Sequence, residues 1–256
     1  MDLQHQTFWD HLDDLRSSIF RAVLVSAVFS VVAFVLKDVL FNIVLAPQKC
    51  EFVTYRLLQL LDSSGTLVDM TPIKLVNYGL AQQFVIHVKT AIYFGVLCAS
   101  PYLIYLLFSF VSPALYSNER RYALSMVTGG YIMFMLGVLL CYFLIFPLTF
   151  RFLGTYQVSE VVENTISLES YMDTLLMMCL MMGIVFEIPI LCLILSKLGF
   201  IDKAFMRKYR RHAIVVILVV AAVITPTSDA FTLFLVSAPM YMLYELSILM
   251  VSDRKK

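Results

Sequence analysis

Charge is scarce in this sequence. Only 14% of its 256 residues are charged, against about 25% in an ordinary soluble domain. A water-exposed globule needs more than that to cover its surface. The formal net charge is +1, and the basic residues fall in gaps between apolar runs rather than along one soluble face, which argues against nucleic acid as a partner. Five cysteines are too few and too scattered for a disulfide framework. Cys98, Cys141, Cys179 and Cys192 lie inside apolar runs, where cysteine behaves as a small hydrophobe; Cys50 stands alone in a polar segment. Phosphate loops, GxSxG, HExxH and GxGxxG are all missing, so no enzyme signature is present and no cofactor is implied. A cleavable signal peptide is not expected: the first 18 residues are polar, and the run after them is too long for a leader's apolar core.

What the chain has instead is hydrophobic length. Apolar residues make up 61%, including 20 Phe and 14 Tyr. Runs of about 20 apolar residues read as membrane helices. They fall at Ile19–Leu36, Ala91–Val111, Ser125–Leu148, Tyr171–Ser196, Ala213–Thr225 and Ala230–Val251, the second extending back toward Ala81. The expected fold is therefore all-α: one integral-membrane domain over 1–256 with six spans in a cupped bundle. Residues 1–18 form an interfacial segment and 252–256 a tail. Lys and Arg set the orientation. One side carries Arg16, Arg120, Arg121, Lys197, Lys203, Arg207, Lys208, Arg210, Arg211, Arg254, Lys255 and Lys256. The other carries Lys49, Arg56, Lys74, Lys89 and Arg151. Both termini should face the cytoplasm.

The fifth run is short: 13 residues, about 20 Å of helix against a hydrocarbon core of about 30 Å. Interior prolines at 101, 189 and 239 should bend their helices. On the outer side, "TYRLLQLL" reads as a short amphipathic helix lying on the membrane, and the segments 46–80 and 149–170 as a cap over the bundle.

Several side chains invite a functional reading, each beside a plainer one. Glu187 and Glu245 are carboxylates deep in apolar runs, where ionisable groups usually face protein or a hydrated cavity. The plainer account is one buried hydrogen bond each. Asp173 lies 14 residues before Glu187, within about 40° on a helical wheel, so the two could form a polar stripe. Glu119 lies in "SPALYSNERRYAL" beside Arg120 and Arg121; topology explains the arginines but not the glutamate. "TFWDHLDDLR" reads as an interfacial helix that holds Asp13 and Asp14 at the cytoplasmic surface. His11 with these aspartates matches no standard metal spacing. "LLMMCLMMG" is a packing surface before it is a copper site, and Gly129, Gly130 and Gly137 serve close helix approach before ligand contact.

Taken in order, "HLDDLR", "SPALYSNERRYAL", "FPLTFRFL", "FEIP", "RRHAIVVILVVAAVITP" and "SAPMYMLYELSI" resemble the TatC family of twin-arginine protein translocases over nearly the whole chain. The resemblance implies a receptor for twin-arginine signal peptides in the inner membrane. It would work with single-span TatA- and TatB-type partners, in an oligomeric receptor complex, to move folded proteins across an energised membrane. It also implies a cupped six-helix bundle whose last two helices are short.

By the same resemblance, Asp14 and Glu119 take the positions that meet the paired arginines of the signal. Guanidinium and carboxylate suit that task because they form strong bidentate pairs. Asp14 stands where the family has glutamate, one methylene longer, and Asp13 is placed to share the work. Phe110 would pack against the apolar part of the signal. Pro47 matches after the first span, Pro189 would set the bend of the cup, and Thr225 falls in a partner-contact patch. A glutamine usual nearby is Leu233 here. The competing reading is a proton-coupled carrier of a small solute, built on Glu187 and the proline-broken spans.

Overall fold

The structure, a computed structural model, describes residues 8–61, 73–111, 123–157, 159, 164–225 and 229–251. Among these, the helices are α1 Phe8–Val35, α2 Lys37–Val44, α3 Val53–Leu61, α4 Gln82–Val111, α5 Ala123–Leu140, α6 Phe146–Thr155, α7 Leu168–Val185, α8 Ile188–Lys197, α9 Lys203–Lys208, α10 Arg210–Ile224 and α11 Ala230–Met250. A 3₁₀ turn covers Ala46–Gln48, and a π-turn, Cys141–Ile145, joins α5 to α6. Two short strands, β1 Leu75–Val76 and β2 Ile166–Ser167, pair in parallel.

Five stretches are long and apolar enough to cross a bilayer: Leu12–Val35, Gln82–Ser109, Met126–Thr155, Leu168–Lys197 and Ala230–Met250. The remaining expected span is α10. Its 15 residues measure about 22 Å, short of the hydrocarbon core. The shortness foreseen for this helix is real, whereas α11 runs to 21 residues, so only one of the last two helices is short.

Helix boundaries depart from the apolar runs in places. The N-terminal segment is no separate interfacial helix, because α1 runs unbroken from Phe8 to Val35. Its sequence has no breaker before Leu36, where the chain turns into α2. Pro101 and Pro239 sit inside continuous helices. Pro189 does interrupt its helix: α7 ends at Val185, Phe186 and Glu187 form a turn, and Pro189 lies in the first turn of α8, where its missing N–H costs least.

Packing follows small residues. Between helices already solvated by lipid, association depends on close contact rather than on burial from water. At the α1/α4 crossing a Cβ on Gly95 would lie 2.6 Å from the Ser30 amide nitrogen and 2.7 Å from its Cα. At the α5/α7 crossing two rings sit on opposed glycines: Phe134 of α5 against Gly183, and Phe186 against Gly137. A Cβ on Gly137 would also lie 2.5 Å from the Met182 carbonyl oxygen. The buried core runs through these crossings, from Ala33 and Ala91 through Phe134 and Met182 to Val236 and Met240.

The seat of Gly95 is backbone that cannot move aside. Gly95→Val should therefore cost about 1–3 kcal/mol through overpacking, read as a lower thermal midpoint of the detergent-purified protein. Gly129→Ala, where a Cβ would meet only Ile190 at 3.7 Å, should leave the midpoint unchanged.

Candidate functional site

Chain direction sorts the helix ends. Ser30 against Gly95, and Phe34 against His87, make α1 and α4 antiparallel. Lys89 pairs with Asp173, and β1 pairs with β2, so α4 and α7 start at the same end. Arg210, at the start of α10, bonds Glu245 near the end of α11. The start of α1, the end of α4, the start of α5, α9 and the end of α11 thus share one side. The described residues of 46–80 and 156–167 share the other.

On the first side, the α1/α4 register carries Asp14 to the level of residues 107–111, where α4 ends. Asp13 and Asp14 are exposed. Asp13 and Arg16 rim a groove whose floor is apolar, with Ile19, Phe20 and Val23. The other described carboxylates here have partners. Asp202 caps α9, accepting the Phe205 amide at 2.6 Å. Glu245 accepts from Arg210 at 2.6 Å and from the Tyr241 hydroxyl at 3.0 Å. In place of one buried hydrogen bond, this partly exposed acid makes an ion pair across the α10/α11 hairpin and a bond within α11. Asp13 and Asp14 carry no ion pair among the described residues. Glu119 lies outside the described residues. Phe110 belongs to the last turn of α4, with its side chain outside them.

Glu187 points into the bundle rather than toward lipid. Its Oε2 lies beside Gly130, where a Cβ would come within 3.2 Å of it and within 3.1 Å of Ile104 and Phe108. Its Oε1 is buried with no hydrogen-bond partner among the described residues. The polar stripe with Asp173 does not form. Asp173 is exposed and held by Lys89 at 3.0 Å, Lys89 also reaches Glu169 at 3.7 Å, and Glu187 lies in the turn at the far end of α7. Thr225 is 3% exposed and its hydroxyl donates to the Ala221 carbonyl at 3.0 Å.

The opposite side is a knot of side chains that sequence reasoning missed. Tyr55 of α3 is buried, its Oη 3.0 Å from the carbonyl of Pro47 and 3.1 Å from that of Pro147. The Arg151 guanidinium lies 5.1 Å from the Tyr55 ring and 3.2 Å from Cys50 Sγ. Burial pushes the Tyr55 phenol well above its usual range, with Arg151 opposing, so it stays a donor. The Tyr171 hydroxyl donates to the Val44 carbonyl at 3.0 Å and the Tyr142 hydroxyl to that of Ile43 at 2.7 Å. The Thr54 hydroxyl reaches the Phe143 carbonyl. Pro47, singled out earlier, is thus an acceptor in this knot. The available signal was "FPLTFRFL": a proline at 147 frees the carbonyl four residues back, at Phe143, which must find a donor elsewhere.

Fold and site together define a polytopic helical membrane protein, with two exposed aspartates on one side and a stapled cap on the other. Comparison with known proteins gives the family. Residues 10–239 match the family model for the Sec-independent protein translocase protein TatC. The chain is 32% identical to the TatC protein of Blattabacterium sp. subsp. Periplaneta americana, over 94% of this chain and 93% of that one. It is 31% identical to the TatC of Deinococcus radiodurans, covering 97% and 87% respectively. A crystal structure of the twin-arginine translocase receptor TatC superposes with a TM-score of 0.77 at 29% identity, over 94% of this chain and 97% of that one. The chain belongs to the TatC family. These relatives give the solute-carrier reading no support.

Tyr55→Phe removes the donor shared by two buried carbonyls. It should cost about 1–3 kcal/mol, seen as a lower thermal midpoint in detergent. Tyr142→Phe, whose bond lies at the protein surface and serves one carbonyl, should move the midpoint less.

Proposed function

We propose that this protein is the twin-arginine signal-peptide receptor of a Tat translocase in the cell's inner membrane. Its acidic rim faces the cytoplasm, as do both termini. Asp14, with Asp13 beside it, and Glu119 take the two arginines of the signal. Phe110 packs against the apolar stretch that follows them.

The observation that carries this reading is the α1/α4 register. It brings two aspartates that have no ion pair among the described residues level with the end of α4, just before the 112–122 segment whose sequence holds Glu119. A diarginine needs two carboxylates held close together, and in this reading Asp14 and Glu119 supply them from different parts of the chain. The basic residues of this side suit the positive-inside rule, and the apolar floor below Asp13 suits the hydrophobic part of a signal. Single-span TatA- and TatB-type proteins are the partners in an oligomeric complex, and folded proteins are the cargo. Glu187 is a second polar contact, reached once the signal enters the bundle, and Pro189 holds the turn that aims it inward.

The test is binding or crosslinking of a twin-arginine peptide to the purified protein. A lost charge-assisted bond is worth about 1.5–3 kcal/mol, so Glu119→Ala and Asp14→Ala should each weaken binding about 10- to 100-fold. Asp14→Glu should retain it. Export of a folded reporter in a strain lacking its own TatC component should follow the same order. Undiminished binding by Glu119→Ala, still dependent on both peptide arginines, would remove Glu119 from the site.

A further inference from the structure

We infer that α3 is a lipid-inserted foot, with Val53, Leu57 and Leu60 seated in the outer-side leaflet beside the third span. It stands apart from signal recognition, which lies at the other end of the bundle.

At about 100° per residue, α3 divides into three sectors. Thr54, Tyr55 and Leu58 share one, and it faces protein: Thr54 and Tyr55 are buried and bonded to backbone of the π-turn and of α6. Arg56 and Gln59 share the next, which is polar and exposed. Val53, Leu57 and Leu60 share the third. This sector is apolar yet exposed, with Leu57 at 55% and Leu60 at 81%. A helix lying along a bilayer beside a transmembrane wall needs these three sectors: one for the wall, one for water, one for acyl chains. A helix standing in water above the membrane would not keep the third.

The wall itself supplies the depth. Phe143 and Leu144 are exposed members of the third span, and so face lipid. The Phe52 ring stacks on Phe143 at 5.7 Å, and Thr54 bonds the Phe143 carbonyl. Counted from Met126, where the span begins, Phe143 lies about 25 Å along the helix, within a hydrocarbon core of about 30 Å. The exposed stripe of α3 therefore continues the lipid-facing surface of the third span. Its occupant is phospholipid.

Trp9 is the sole tryptophan, so Trp9→Phe gives a silent background for single tryptophans. Leu57→Trp, Leu60→Trp and Gln59→Trp are purified full-length and reconstituted in phosphatidylcholine vesicles. Acyl chains brominated near the glycerol should quench Leu57→Trp and Leu60→Trp severalfold more than Gln59→Trp, with the order reversed for aqueous iodide. Two positions are used so that one poorly folding variant does not end the test. Iodide quenching of both leucine positions, with no effect of brominated lipid, would overturn the inference by putting the stripe in water. Protection from both quenchers would also overturn it, since another protein surface, such as a second copy, would then cover the stripe.

Discussion

A carbonyl freed inside a bilayer has no water to turn to, and much of this structure follows from that constraint. Prolines and helix breaks free such groups, and at four of them a side chain from elsewhere in the sequence takes the place of the lost donor. Pro147 cannot bond the Phe143 carbonyl, and Thr54 does so instead. The last turn of α2 leaves the Ile43 and Val44 carbonyls, which Tyr142 and Tyr171 take. The break at Leu36 leaves the Phe34 carbonyl to His87 Nε2, at 3.1 Å in the tautomer protonated there. The hydroxyl-rich cap is therefore more than a lid. It supplies the donors that let the first and third spans bend without stranding backbone.

The same economy explains where rigidity and openness lie. Ring-on-glycine seats lock α5 to α7 through Phe134 and Phe186. Phe186 belongs to the turn that carries Glu187, so the lock also fixes the direction of the acid. Gly130 leaves room for the carboxylate at a place where any Cβ would crowd it. Burying a carboxylate oxygen without a partner is expensive, and a rigid frame is what can hold it there. At the other end the arrangement is the reverse: Asp13 and Asp14 stand exposed near the start of α1, with no ion pair among the described residues.

Sequence reading went furthest where physics is local. Hydropathy located the five long apolar stretches, the shortness of α10 could be counted, and the amphipathic stretch in "TYRLLQLL" became α3. It failed where the answer depended on a neighbour. Glu245 looked like a candidate site because Arg210 is 35 residues away and meets it only across the α10/α11 hairpin. Asp173 looked like half of a stripe because Lys89 belongs to another helix. The burial of Thr225 could not be read from its motif, because burial is a property of the fold. The exposure of Asp13 and Asp14 was legible because both precede the first apolar run.

The short α10 and the three-sector α3 bear on a shared physical problem. A helix of about 22 Å is mismatched to a core of about 30 Å, and mismatch is relieved by local thinning at a cost of fractions of a kcal/mol per Å. A helix lying in one leaflet displaces headgroups sideways and draws acyl chains beneath it, which also thins that leaflet. Two such features on one small bundle favour a membrane already deformed before any cargo arrives. A folded protein that must cross faces a barrier set mainly by hydrocarbon thickness. The irregular features of this fold, the broken spans with their borrowed donors, the short helix and the side-lying one, therefore share a physical role: each moves polar backbone or protein surface into depths that straight helices would leave to lipid.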